Sequence, residues 1–131
     1  EMLRSLVGSE MCIRDSVFKT LVTLGKSGEH YVFVLPAVGE LDLKKAAQAC
    51  GEKSVAMLKQ KDLLPTTGYV HGGCSPLGMK KEFPTVIDAS AEDQPTILVS
   101  AGKIGFQMEV EPRALAAAFA FRFADLTQAK M

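Results

Sequence analysis

The sequence predicts an α+β fold in a single domain, with a mixed, mostly antiparallel sheet and a few flanking helices. Three observations carry that prediction. Short runs rich in β-branched and aromatic residues, bounded by Gly, Pro and polar turn residues, recur along the chain. Helical periodicity surfaces in only a few stretches. Strands and helices follow one another without the regular alternation that builds a parallel sheet. At 131 residues and 47% hydrophobic, the chain is long enough for one real core.

Phe18-Lys19-Thr20-Leu21-Val22-Thr23-Leu24 alternates in character and reads as a strand. Gly25-Lys26-Ser27-Gly28 supplies a turn, and His30–Leu35 is a second strand stopped by Pro36, so the two form a hairpin. From Asp42 the period changes: Leu43, Ala46, Ala47 and Cys50 share one helical face, with Asp42 as N-cap and Gly51 just past the end. Ser54–Met57 is a short strand, followed by a helical turn or two over Lys59–Leu64 that Pro65 ends. Gly68 to Gly78 is a glycine-rich loop region. Thr85–Asp88, Thr96–Ser100 and Gly105–Val110 are strand-like. Pro112 suits the first turn of a closing helix whose apolar stripe is Leu115, Phe119, Phe123 and Leu126.

Composition narrows the function classes. Fifteen basic residues cancel fifteen acidic ones, so no global field draws the chain to nucleic acid or an anionic membrane. Any RNA contact must come from a local patch and be sensitive to salt. No apolar run approaches the ~20 residues needed to span a bilayer, and no membrane role is expected. Cys12, Cys50 and Cys74 are unevenly spaced, with no Cys-x-x-Cys pair and no neighbouring His cluster. That pattern speaks against a disulfide framework or a metal site and fits a reducing, cytoplasmic location.

The amino-terminal stretch stands apart. Leu6-Val7-Gly8-Ser9-Glu10-Met11-Cys12-Ile13-Arg14-Asp15-Ser16 resembles, residue for residue, a translated transposase adapter of the kind used in DNA library preparation. The alternative is a short, weakly amphipathic native helix. It is no secretory signal, because Glu10, Arg14 and Asp15 interrupt any apolar core. Residues 1–16 are therefore expected to be non-native, leaving 17–131 as the domain.

The usual nucleophile sets are missing. His30 and His71 are the two histidines, and neither sits in a Gly-x-Ser-x-Gly or His-Glu-x-x-His context. His30 reads as a solvated edge residue, and His71, beside the glycine loop, as pocket-lining or structural. Cys74 has no identifiable base and reads first as a small buried thiol. Lys19 interrupts an otherwise half-buried strand. It is either an outward-facing surface lysine or a single cation aimed into a pocket to hold a carbonyl, a ribose oxygen or a phosphate. Gly72-Gly73-Cys74-Ser75-Pro76 is either an ordinary tight turn or a loop whose bare backbone approaches a substrate closely. Ser100-Ala101-Gly102-Lys103-Ile104-Gly105 is a hairpin connection and, at most, a second pocket wall. Lys44, Lys45, Lys80, Lys81 and Lys103 could meet RNA phosphates, although most such lysines are solvated surface.

Several of these pieces, in this order, resemble the Cys-tRNA(Pro) deacylases of the YbaK/EbsC type. They are Phe18–Leu21, Glu40–Ala47, Thr67–Gly78, Phe83–Asp88 and Val99–Gly105, covering roughly residues 17–126. The fold is also similar to the editing domain inserted in bacterial prolyl-tRNA synthetases. The resemblance implies a mixed sheet curled toward a barrel, with no metal and no cofactor. It implies that Lys19 is the residue on which deacylation depends, and that Gly72 through Pro76 hold the aminoacyl carbonyl. Ser100 and Gly102 would border the pocket, and Thr20 would line it. In this family the substrate's own cysteine thiol is thought to attack its ester, which agrees with the empty search for a triad. The expected partners are the acceptor end of tRNA(Pro) carrying cysteine and, transiently, prolyl-tRNA synthetase.

Two departures are visible. The family's opening strand and helix should precede residue 17, and without them a sheet edge and one pocket wall are expected to stand open. Gln107 occupies a position where some members carry an acidic residue. Two other readings stay open at this point. One is an editing domain acting on Ala-tRNA(Pro) or another misacylated tRNA, and the other is a non-catalytic module that binds tRNA or a synthetase.

Overall fold

A computed structural model describes residues 17–70 and 73–128. The hairpin expected at the start of the domain forms from β1 (Phe18–Gly25) and β2 (His30–Pro36), paired antiparallel with Lys19 opposite Leu35 and Thr20 opposite Val34. Helix α1 (Leu43–Cys50) follows, then β3 (Val55–Met57), α2 (Gln60–Thr67) and β4 (Thr85–Asp88). A 3₁₀ turn (Ala89–Asp93) leads into the hairpin of β5 (Ile97–Ser100) and β6 (Gln107–Val110). Helix α3 (Pro112–Phe119) and β7 (Arg122–Ala124) complete the chain.

The main sheet has the order β3-β1-β2-β4-β7. β1 pairs antiparallel with both β2 and β3, whereas β4 lies parallel to β2 and to β7. The sheet is therefore mixed, and with the antiparallel β5–β6 hairpin the structure is of the α+β class that the sequence predicts. The main sheet is not closed. A bridge between Val17 and Leu98 links the hairpin to the start of β1, an arrangement compatible with curling.

Strand alternation distributes the core over both faces of the main sheet. Phe18 and Val34 pack with Ile87, Ile97 and Val99 on one side, and Phe33 and Leu35 pack with Ala46, Ala47 and Leu126 on the other. Each such Val, Ile, Leu or Phe side chain, fully buried, contributes about 1.5–3 kcal/mol. Asp42 caps α1 as expected, its Oδ1 accepting from the backbone N–H of Lys44 (2.9 Å) and Lys45 (3.1 Å), and Gly51 ends the helix in the left-handed region. The buried stripe is narrower than its periodicity suggests, because Leu43 is exposed and only Ala46 and Ala47 are fully covered.

Two expectations are corrected. Pro65 does not end α2 but lies inside it, and the helix continues to Thr67. A proline removes one backbone bond from so short a helix. The last turn is closed instead by the Thr67 hydroxyl donating to the Leu63 carbonyl (2.8 Å) and the Gly68 N–H donating to the Leu64 carbonyl (2.8 Å). The closing helix also stops early, at Phe119, so Phe123 and Leu126 are not on its stripe. Ala120 turns left-handed (φ 60°), Phe123 becomes part of β7, and Leu126 is buried against the opposite face of the sheet. Parallel pairing with β4 offers Phe123 a ladder position that a longer helix would forgo.

Candidate active site

The site follows from the edge of β1. One edge of this strand pairs along its length with β2, but the other meets β3 only at Thr23, Leu24 and Gly25. A cavity of about 490 Å³ runs beside the remainder, bordered by the consecutive residues 17–22. This volume lies within the range of roughly 300–1,000 Å³ typical of small-molecule sites. Neighbours on a strand leave from opposite faces, and a cavity along the edge can meet both. Lys19 and Thr20 therefore border the same space.

Cys74, Ser100 and Gln60 add polar groups to the wall, brought in by the glycine loop, the end of β5 and the start of α2. Met57, Leu58 and Leu63 close it from the β3–α2 side, and Phe106 and Gln107 from the start of β6. Among the described residues that line the cavity, Lys19 is the single charged side chain, and no His, Asp or Glu reaches it. Lys19 is half-buried and makes no ion pair among the described residues. The Thr20 Oγ1 is buried and has no hydrogen-bond partner among the described residues, which leaves its donor and acceptor capacity for whatever enters. Leaving such a group unmatched costs about 1–3 kcal/mol.

The thiol of Cys74 is a poor nucleophile. Burial pushes it up to about 11, and the hydroxyl of Thr67 beside it offsets only part of that. At neutral pH the group is a thiol and not a thiolate.

The rest of the loop and turn supports this wall from behind. The Gly73 N–H donates to the Val70 carbonyl (2.9 Å), so it is engaged inside the turn. A Cβ at Gly73 would sit 3.1 Å from the backbone nitrogen of Ile104, so glycine lets the loop press directly against the β5–β6 turn. Ser75 is buried, its Oγ accepting from the Leu77 N–H at 3.2 Å, and Ser100 Oγ accepts likewise from the Gly102 N–H at 3.2 Å. Gly102 itself takes φ +103°, where a side chain would be strained and would meet the Tyr69 ring at 3.1 Å. Pro76 faces a different hollow. His71 and Gly72 lie outside the described residues.

Tyr69 is the organising residue that motif reading alone leaves unassigned. Its ring covers Gly102 and its hydroxyl donates to the Leu77 carbonyl at 2.5 Å, tying the hairpin turn to the glycine loop. The apolar lining residues Leu58, Leu63 and Phe106 were likewise not foreseen. They come from separate elements and carry no signal beyond ordinary hydrophobicity.

The model of the aminoacyl-tRNA editing domain matches residues 10–118. The chain belongs to that family. A protein of Enterococcus faecalis, provisionally named Cys-tRNA(Pro)/Cys-tRNA(Cys) deacylase EbsC, is 51% identical over 114 residues, covering 87% of this chain and 70% of its own length. Among solved structures, one provisionally described as a trans-editing enzyme for prolyl tRNA synthetase superposes with a TM-score of 0.81 at 23% identity, over 95% of this chain and 80% of its own. The hypothetical protein APE2540 gives 0.83 at 22%, over 93% of this chain and 82% of its own. At such identities these structures support the editing-domain fold alone. Among the described residues no cluster of three or more His, Cys, Asp or Glu could hold a metal ion, and no helix is long and apolar enough to cross a membrane.

Proposed function

We propose that this editing domain removes cysteine mistakenly attached to tRNA(Pro), with the substrate's own thiol as nucleophile. The observation that carries this reading is the cavity's chemistry: one ammonium, an unmatched threonine hydroxyl, a protonated buried thiol and, among the described lining residues, no His, Asp or Glu to serve as a base. The name of the relative at 51% identity points the same way.

In this reading the aminoacyl ester lies along the edge of β1. The cysteine sulfur attacks the ester carbonyl, the bond to the ribose oxygen breaks, and the thiol proton passes to that oxygen as the tRNA leaves. The released four-membered thioester is then opened by water to free cysteine. The Lys19 ammonium stabilises the negative charge that grows on the carbonyl oxygen. Thr20 and Ser100 hold the ester and the ribose, and Cys74 shapes the wall, with Gly73 and Ser75 supporting it from behind. Fixing sulfur and carbonyl in contact supplies several kcal/mol of the barrier without any enzyme nucleophile. Selectivity follows from chemistry as much as from fit, since excluding an isostere by binding alone is worth only ~1–3 kcal/mol.

The test is deacylation of tRNA(Pro) charged in turn with cysteine, serine and alanine. Cysteine should be released at least about a hundredfold faster than serine, whose hydroxyl is the weaker nucleophile. Lys19→Ala should lower the cysteine rate by about 10²–10³ with the circular dichroism spectrum unchanged, the usual cost of losing one oxyanion donor. Equal rates for alanine and cysteine would instead identify an editing domain for Ala-tRNA(Pro). No release from any substrate, with tRNA or synthetase still bound, would identify a binding module.

A further inference from the structure

A second hollow, of about 420 Å³, opens on the other side of the glycine loop. Pro76 and Leu77 form its inner wall, Phe83 one flank, and Phe119 and Phe121 the other. The two last rings are stacked, 5.7 Å apart and inclined by 28°, and Phe119 remains 50% exposed. Half of the Phe119 side chain is thus left open to solvent beside the hollow. The exposed Lys81 and Glu82 stand at the rim, and Lys80 is their exposed neighbour.

The two cavities are close. Cys74 borders the first and Pro76 the second, and two residues of chain span at most about 7 Å. The segment from Cys74 to Pro76 therefore borders the reacting site on one side and the second hollow on the other. A half-exposed aromatic ring with the Lys81 ammonium at the same hollow fits a nucleobase and its phosphate. Single-stranded nucleic acid is held in this way elsewhere, by stacking together with positive charge.

We infer that this hollow takes a nucleobase from the 3′ end of the aminoacylated RNA, stacked on Phe119, with Lys81 on the adjoining phosphate. The inference rests on the proposed deacylase reading and deepens it. It assigns recognition of the RNA end to the turn after α3 and the loop before β4, and reaction to the edge of β1. Glu82 at the rim opposes a close second phosphate, so the contact is short, one base and one phosphate.

The trinucleotide CCA, the common 3′ end of tRNAs, is the probe. Added to the whole chain, it should shift the ring signals of Phe119 and Phe121 in NMR spectra. Phe119→Ala should weaken CCA binding about tenfold, the size expected for loss of one base–aromatic stack, and raise KM for cysteinyl-tRNA by a similar factor. Phe119→Trp should restore both. Lys81→Ala, at an exposed position that tolerates the change, should weaken binding and flatten its salt dependence by one phosphate contact. Unmoved Phe119 and Phe121 signals, or unchanged CCA affinity in both variants, would overturn the inference. So would signals that move with protein concentration but not with CCA, which would make the hollow a contact between copies. CCA bound against Phe119 in a protein that cleaves no misacylated tRNA would keep the base site and sink the deacylase reading.

Discussion

At the scale of single residues, the site is defined by what its members do not do. Cys74 stands beside the cavity with no base, and its burial works against ionisation. The same burial has a consequence for stability. Cys74 is raised from its ordinary value to about 11, and Tyr31 is raised to about 12, chiefly by its hydrogen bond to Glu52 (2.6 Å) and then by burial. Both groups are acids that the native state keeps protonated longer than the unfolded chain does. Below pH 9 the two states hold these protons equally, and the stabilisation is fully present. As pH rises the unfolded chain releases them first, so unfolding is favoured and stability falls between about pH 9 and 12. Urea midpoints should therefore hold level to about pH 9 and drop from there to pH 11. In Cys74→Ala and Tyr31→Phe together the drop should be shallower, and an unaltered slope would refute the assignment.

At the scale of elements, the fold was legible wherever local chemistry and tertiary pairing agreed. The β1–β2 hairpin, the Asp42 cap and the Gly51 stop of α1 need only neighbouring residues, and they stand where the sequence puts them. Phe119, Phe123 and Leu126 are separated by helical intervals, but Phe121 and Phe123 are also two apart, the interval of a strand. Pairing with β4 decides between these patterns, and no local signal contains it. The candidate site was legible in the same uneven way. Lys19 and Cys74 stand out by their chemistry and border the cavity. Of the Gly72–Pro76 stretch, however, Gly73 is engaged inside its turn and Pro76 faces the second hollow. Tyr69 and the apolar lining act through contacts made only when distant elements meet. The early stop of α3 leads to a prediction. Ala120 holds φ 60° with a Cβ, a conformation that costs a non-glycine residue roughly 1–2 kcal/mol. Ala120→Gly should recover about 1 kcal/mol, less the added entropy of the unfolded chain, and raise the melting midpoint by a few degrees. A lower midpoint would mean that the Ala120 methyl group contributes packing worth more than the strain it costs.

At the scale of the whole molecule, charge sets how the protein can meet its RNA. Fifteen positive and fifteen negative side chains leave no net field, so attraction has to come from a few lysines near the cavities. Lys80, Lys81 and Lys103 are exposed around the glycine loop and the β5–β6 turn. If two or three phosphates of a single-stranded end are neutralised, log K should fall with log salt at a slope of about −1.4 to −2.1. Such binding, without a broad basic surface, belongs in the micromolar range or weaker. On the proposed reading, a domain that met only the terminal CCA, which all tRNAs share, would have no means of choosing tRNA(Pro) itself. A second protein that already grips the body of this tRNA would supply the choice. Adding prolyl-tRNA synthetase should accordingly raise the rate of cysteine release at low substrate concentration, and do so for tRNA(Pro) more than for tRNA(Cys). Nanomolar binding of tRNA(Pro) by the chain alone, or a salt slope steeper than about −4, would place selection in this domain and leave the synthetase no part in it.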